Sequence, residues 1–124
     1  MKTKTILCPQ RLRYVPRQFS WIDQRLVRDR HIQGRSSQAL ALYLFLCTVA
    51  DAQGSSYYSD AMAGRILGVE LAVLRSARRE LIAAGLIAYS APFYQVLSLE
   101  PEKMSAGPAE LRIAERMPSE IFKR

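Results

Sequence analysis

The sequence predicts a small, mainly α-helical domain that closes in a β-hairpin, and three observations predict it. One is an apolar stretch, Ala39 to Ala50, bounded by Gly34 and Gly54. Another is a pair of helix-length segments, Asp60 to Leu67 and Glu70 to Ala84, parted by Gly68. The last is a pair of strand-like runs, Leu86-Ile87-Ala88-Tyr89 and Tyr94-Gln95-Val96-Leu97-Ser98-Leu99, joined by Ser90-Ala91-Pro92-Phe93. A chain of 124 residues has room for one hydrophobic core of ordinary size.

In chain order, Phe19 to Ile32 opens with the aromatic stretch Phe19-Ser20-Trp21-Ile22. It then sets Ile22, Leu26 and Val27 at helical spacing among Arg25, Arg28 and Arg30, so a short packed element is expected. Gly34 ends it, and Ser36 or Ser37 supplies an N-cap for the next helix. Ala39 to Ala50 is apolar nearly all round, as befits a helix at the centre of a small core. It is more apolar than one buried side requires, which leaves surface for the N-terminal element or a second subunit. Asp51-Ala52-Gln53-Gly54 terminates that helix, Ser55-Ser56-Tyr57-Tyr58 is short and β-prone, and Ser59 caps the following helix. Gly68 forces a turn. Beyond it Leu71, Leu74, Ala77 and Leu81 share one side of a helix that Gly85 stops with a left-handed cap.

Composition excludes several classes. The chain is 49% hydrophobic and 23% charged, close to the globular average, which argues against disorder, collagen and disulfide scaffolds. The net charge of +7 suits a polyanionic partner, nucleic acid first and an anionic membrane surface second. Residues 1–35 hold nine Lys or Arg against two Asp, residues 36–99 four basic and four acidic groups, and residues 100–124 five of each. The excess is therefore N-terminal. Residues 1–18, with Lys2, Lys4, Arg11, Arg13, Arg17, Pro9 and Pro16, read as a flexible basic arm able to lie along phosphates, or as a solvated tail. Residues 19–99 carry the domain. Residues 100–124, punctuated by Pro101, Gly107, Pro108 and Pro118, form a tail whose helical prospect is Ala109 to Met117.

Cys8 and Cys47 stand far apart and His31 is the one histidine, so no zinc-ligand spacing exists and no metal or other cofactor is expected. Cys47 reads as a small buried hydrophobe, Cys8 as a free thiol and His31 as a surface residue, which fits a reducing cytoplasm. The longest apolar run, Ala39 to Cys47, has nine residues, well short of the ~20 that span a bilayer. The first nine residues lack a signal-peptide core. Glycine-rich phosphate loops, nucleophile elbows and bracketed carboxylate pairs are missing, and an enzyme is not expected.

The order helix, short strand, helix, tight turn, helix, strand, loop, strand resembles the winged helix-turn-helix family. Ala63 and Gly64 are the small residues such a motif needs where its helices cross. Gly68 is the turn glycine, Leu67 and Val69 flank it, and Leu74 and Ala77 form the inner face. The stretch Arg79-Glu80-Leu81-Ile82-Ala83-Ala84-Gly85-Leu86-Ile87 is similar to the close of the recognition helix in many bacterial winged-helix regulators and replication initiators. Phe19 to Leu46 is similar to small winged-helix proteins of mobile elements and plasmids. The likeness covers residues 36–99. It implies sequence-specific binding of double-stranded DNA, as a transcriptional regulator or as an accessory of transposition or replication.

On that reading the side of the second motif helix turned away from Leu74 is the reader. At about 100° per residue, Ala72, Ser76, Arg79 and Ala83 occupy it and Arg75 flanks it. Arg75 or Arg79 can bind the O6 and N7 of guanine or hold a phosphate, Ser76 can bond to either, and Ala72 and Val73 can meet a thymine methyl. Arg11, Arg13 and Arg17 add phosphate contacts. Glu70 complements the helix dipole as a cap-region residue. Arg78 falls inside the nonpolar arc, about 40° from Leu74, where its stem packs while its head reaches water or pairs with Asp23, Asp51 or Asp60. The hairpin loop has no Lys or Arg, and Phe93 with Tyr94 reads as an apolar patch. The alternative is thus an interaction module that docks a transposition or replication enzyme. Trp21, Tyr43, Tyr57, Tyr58 and Tyr89 are assigned to core packing rather than to a platform for single-stranded nucleic acid, with one ring of the Tyr57-Tyr58 pair left free.

Overall fold

A computed structural model describes residues 3–99 of the chain. Its regular elements begin with a 3₁₀ turn at Pro9–Arg11 and a four-residue helix α1, Arg25–Arg28. They continue as α2 Ser37–Val49, β1 Ser55–Tyr57, α3 Asp60–Leu67, α4 Leu71–Ala83, β2 Ile87–Ser90 and β3 Phe93–Val96. The result is a mainly helical domain trailed by an antiparallel hairpin, an architecture compatible with the winged-helix type. The expected helix at Ala109 to Met117 lies outside the described residues.

Capping chemistry places the helix starts. Ser36 is the N-cap of α2, its Oγ accepting a hydrogen bond from Ala39 N at 3.1 Å, and Ser59 does the same for α3 from Met62 N at 3.1 Å. The α2 cap is reinforced from another helix. The Glu80 carboxylate of α4 accepts from Ser36 N at 2.8 Å and Ser36 Oγ at 2.7 Å, which holds its own pKa below the usual carboxylate range. Both motif helices end in a reversed turn. Gly68, at φ 70°, lets Val69 N reach Gly64 O at 3.0 Å, and after α4 Leu86 N reaches Leu81 O at 3.0 Å.

α2 lies against α4, and Leu42, Leu46, Leu74, Leu81, Leu86, Ile87 and Tyr94 are fully buried between them and the sheet. Ala39, Tyr43, Ala63 and Ala77 complete the centre. α2 is buried on Ala39, Leu42, Tyr43 and Leu46, whereas Leu44 is 58% exposed. Cys47 is half-buried, its thiol pushed up by desolvation, and Tyr43 is pushed up by its own burial. Cys8 is exposed, and His31 is half-buried rather than at the surface.

The sheet departs from expectation in three ways. It has three strands in the order β1-β3-β2, because Ser55, Ser56 and Tyr57 pair antiparallel with Gln95, Tyr94 and Phe93. The hairpin connection is Ala91-Pro92 alone, since Ser90 and Phe93 pair as strand residues, and β3 stops at Val96. The register also splits the expected Phe93–Tyr94 patch. Tyr94 is 2% exposed and faces the core, while Phe93 points out and meets Tyr57 edge-on at 5.9 Å. Tyr58 turns inward against Phe45 at 4.9 Å, so the free ring of the tyrosine pair is Tyr57.

The N-terminal element is corrected most. Leu26 is its buried residue, while Phe19, Trp21, Ile22 and Val27 are all exposed. A helix of one turn presents a single position to the core, and Leu26 takes it. Asp23 holds that turn by accepting from Arg25 N at 2.9 Å and pairing with Arg25 Nη2 at 2.8 Å, and this hydrogen bonding lowers the Asp23 pKa.

Candidate nucleic-acid interface

The two helices of the motif meet at a close crossing. A Cβ on Gly64 would stand 3.1 Å from Val69 O, and Ala63 is completely buried, so larger residues at either place would push α3 and α4 apart. Glu70 is the N-cap residue of α4, extended at φ −78° and ψ 159°, and makes no side-chain cap hydrogen bond.

α4 then divides cleanly. Leu74, Ala77, Arg78 and Leu81 are buried, and Ala72, Arg75, Ser76, Arg79 and Ala83 are exposed. Val73 is half-buried. The outer side singled out from helical geometry is therefore open to solvent along its length. Its two cations differ. Arg75 Nε stands 3.9 Å from Asp60 Oδ2, a long contact that leaves the side chain 55% exposed. For Arg79, no carboxylate among the described residues lies within ion-pair distance.

Arg78 finds the third of the three carboxylates considered for it. Its Nη1 donates to Asp60 Oδ1 at 2.8 Å and to the Tyr94 hydroxyl at 2.9 Å, and its guanidinium lies over the Tyr89 ring at 4.1 Å. Burial alone would lower its pKa, but the hydrogen bonds to Asp60 and Tyr94 outweigh it and the shift is upward. Asp60 is held below the ordinary carboxylate range, first by its hydrogen bond to Arg78. Burial raises the Tyr94 pKa against the opposing Arg78 bond. One guanidinium thus ties the start of α3, the middle of α4 and both hairpin strands together.

The arm residues Arg11, Arg13 and Arg17 are exposed and, like Arg79, lack a carboxylate partner among the described residues. So does Arg65, in the last turn of α3, which the sequence reading does not single out. Its proximity to the motif turn is the signal that would have found it. Among the described residues no group of three or more His, Cys, Asp and Glu side chains stands together, and no helix is long and apolar enough to cross a membrane. No protein-family model, curated protein or solved structure matches the chain.

Proposed function

We propose that the chain is a winged helix-turn-helix protein that binds double-stranded DNA sequence-specifically. It acts as a transcriptional regulator or as an accessory of transposition or replication. The observation that carries the reading is the outer side of α4, where Ala72, Arg75, Ser76 and Arg79 face solvent over a buried inner side and Arg79 has no ionic partner among the described residues. Seated in a major groove, Arg79 and Arg75 meet guanine edges or phosphates, Ser76 bonds to either, and Ala72 packs on a thymine methyl. Arg11, Arg13 and Arg17 neutralise flanking phosphates. No step of this binding needs a cofactor or a catalytic group.

The test is duplex selection from a random pool, followed by gel-shift titration at two salt concentrations. Arg79→Ala is expected to cost about 1 to 3 kcal/mol on the selected duplex and to relax the preference at one position. Deleting residues 2–17 is expected to weaken all duplexes alike and flatten the salt slope. An equal loss on every duplex for Arg79→Ala rules out base reading.

A second reading rests on the Tyr57–Phe93 pair, two outward rings on neighbouring strands of a sheet without Lys or Arg. In it the same fold docks a transposition or replication enzyme through that aromatic surface. Indifference to duplex at low salt favours it.

A further inference from the structure

Residues 3–22 are exposed throughout, yet they hold Ile6, Leu7, Leu12, Tyr14, Val15, Phe19, Trp21 and Ile22, a concentration of large apolar side chains that a solvated tail has no use for. They also hold Lys4, Arg11, Arg13 and Arg17 and not one carboxylate. The segment is anchored at one point. Ser20 Oγ donates to Thr48 O, near the end of α2, at 3.0 Å. On either side of this bond Phe19 and Trp21 are open to solvent, at 62% and 75% exposure. Tyr14 is likewise open.

We infer that this arm is a binding site for single-stranded nucleic acid, with Phe19, Trp21 and Tyr14 stacking on unpaired bases and Arg11, Arg13 and Arg17 holding the phosphates between them. The inference goes beyond the duplex reading and does not depend on it. Flat rings interleaved with guanidinia meet both halves of a nucleotide, the base face and the phosphate. In a duplex the base faces are stacked on one another and out of reach, so on a nucleic acid rings of this kind stack where bases are unpaired. An anionic membrane surface asks for an amphipathic helix, and between Pro9 and Pro16 the regular structure is a single 3₁₀ turn, Pro9–Arg11, with Leu12 leaving it in extended backbone at ψ 148°.

Trp21 is the only tryptophan of the chain, so its emission reports on this site directly. Titrating the full chain with an oligothymidine of about 15 nucleotides is expected to quench that emission saturably. Log affinity should fall against log salt with a slope of about −2 for three phosphate contacts on a single strand. By anisotropy of the labelled oligonucleotide, Trp21→Leu and Phe19→Ala are expected to bind about 5- to 100-fold more weakly, while Trp21→Phe, which keeps a π face, retains most of the affinity. Both positions are exposed, and unchanged thermal melting verifies that the variants fold. Arg79→Ala, which tests the duplex reading, is expected to leave this titration unchanged, so either reading can fail alone. Absence of quenching overturns the inference, as does a leucine at 21 that serves as well as phenylalanine. Emission that responds to phosphatidylserine vesicles or to protein concentration instead of the oligonucleotide also overturns it.

Discussion

Replacing Arg78 by methionine keeps the unbranched stem of a side chain that is 9% exposed and removes its guanidinium. Three hydrogen bonds from a charged donor disappear, two to Asp60 at 2.8 Å and 3.4 Å and one to Tyr94 at 2.9 Å. Such bonds contribute about 1.5 to 3 kcal/mol each. The Asp60 side chain is partly exposed and water takes over much of its bond, while the apolar methionine stem recovers some packing, so the net cost is about 2 kcal/mol. For a domain of this size that lowers the melting midpoint by roughly 8 to 16 °C. The sign of the pH dependence follows from Asp60. Its folded pKa is depressed by Arg78, so the stability it contributes is complete above the unfolded value near about 3.9 and disappears as pH falls through the lower folded value. The gap between parent and Arg78→Met should therefore be full at neutral pH and narrow below about pH 4 to the part owed to Tyr94 and Tyr89. Denaturant melts at a series of pH values measure it. A variant as stable as its parent, or a gap unchanged into strong acid, would refute the assignment. Freed from Arg78, Asp60 also draws on Arg75, which stands 3.9 Å away, so duplex affinity is expected to fall a few-fold although Arg78 faces inward.

Gly54→Ala is expected to be among the most damaging small changes, by about 3 kcal/mol in denaturant melts. A Cβ there meets Val96 O at 2.5 Å, from a φ of 87° that resists side chains. Leu46→Ala should cost about 3 kcal/mol, whereas Leu44→Ala, two residues along the same helix, should stay within about 0.5 kcal/mol. Equal effects would mean that the outer side of α2 is covered, by a second copy or a partner. Ser36→Ala removes the α2 cap and should cost about 1 kcal/mol in thermal melts. Glu80→Gln should flatten the acid limb of the stability profile below about pH 4.3, since the lowered Glu80 pKa gives stability that is present above that value and lost as pH falls.

Much of the candidate interface was legible in the residues because it depends on local chemistry. Ser59 and Gly68 bracket α3 at the expected ends, and Leu74, Ala77 and Leu81 define the buried side of α4 and hence the exposed one. Arg78 was legible as a misfit in an apolar arc, and Asp60 stood among its three possible partners. Phe19 and Trp21 were not legible, because an aromatic stretch beside helical spacing looks the same whether it packs or projects. Tyr94 was grouped with Phe93 in one outward patch for a similar reason, since a strand's two faces are equivalent until a neighbour fixes the register.

The linear order of residues was enough to determine the helices, their caps, the turn between α3 and α4 and the N-terminal excess of charge, since each depends on groups within a few positions of one another. Only the tertiary structure decided that β1 joins the hairpin, that Tyr94 enters the core to meet Arg78, and that Ser20 docks while the rings on either side of it face solvent. Those outcomes turn on which distant surface fills the space beside α2 and α4, and contacts between residues far apart in the chain leave no periodic trace in its sequence.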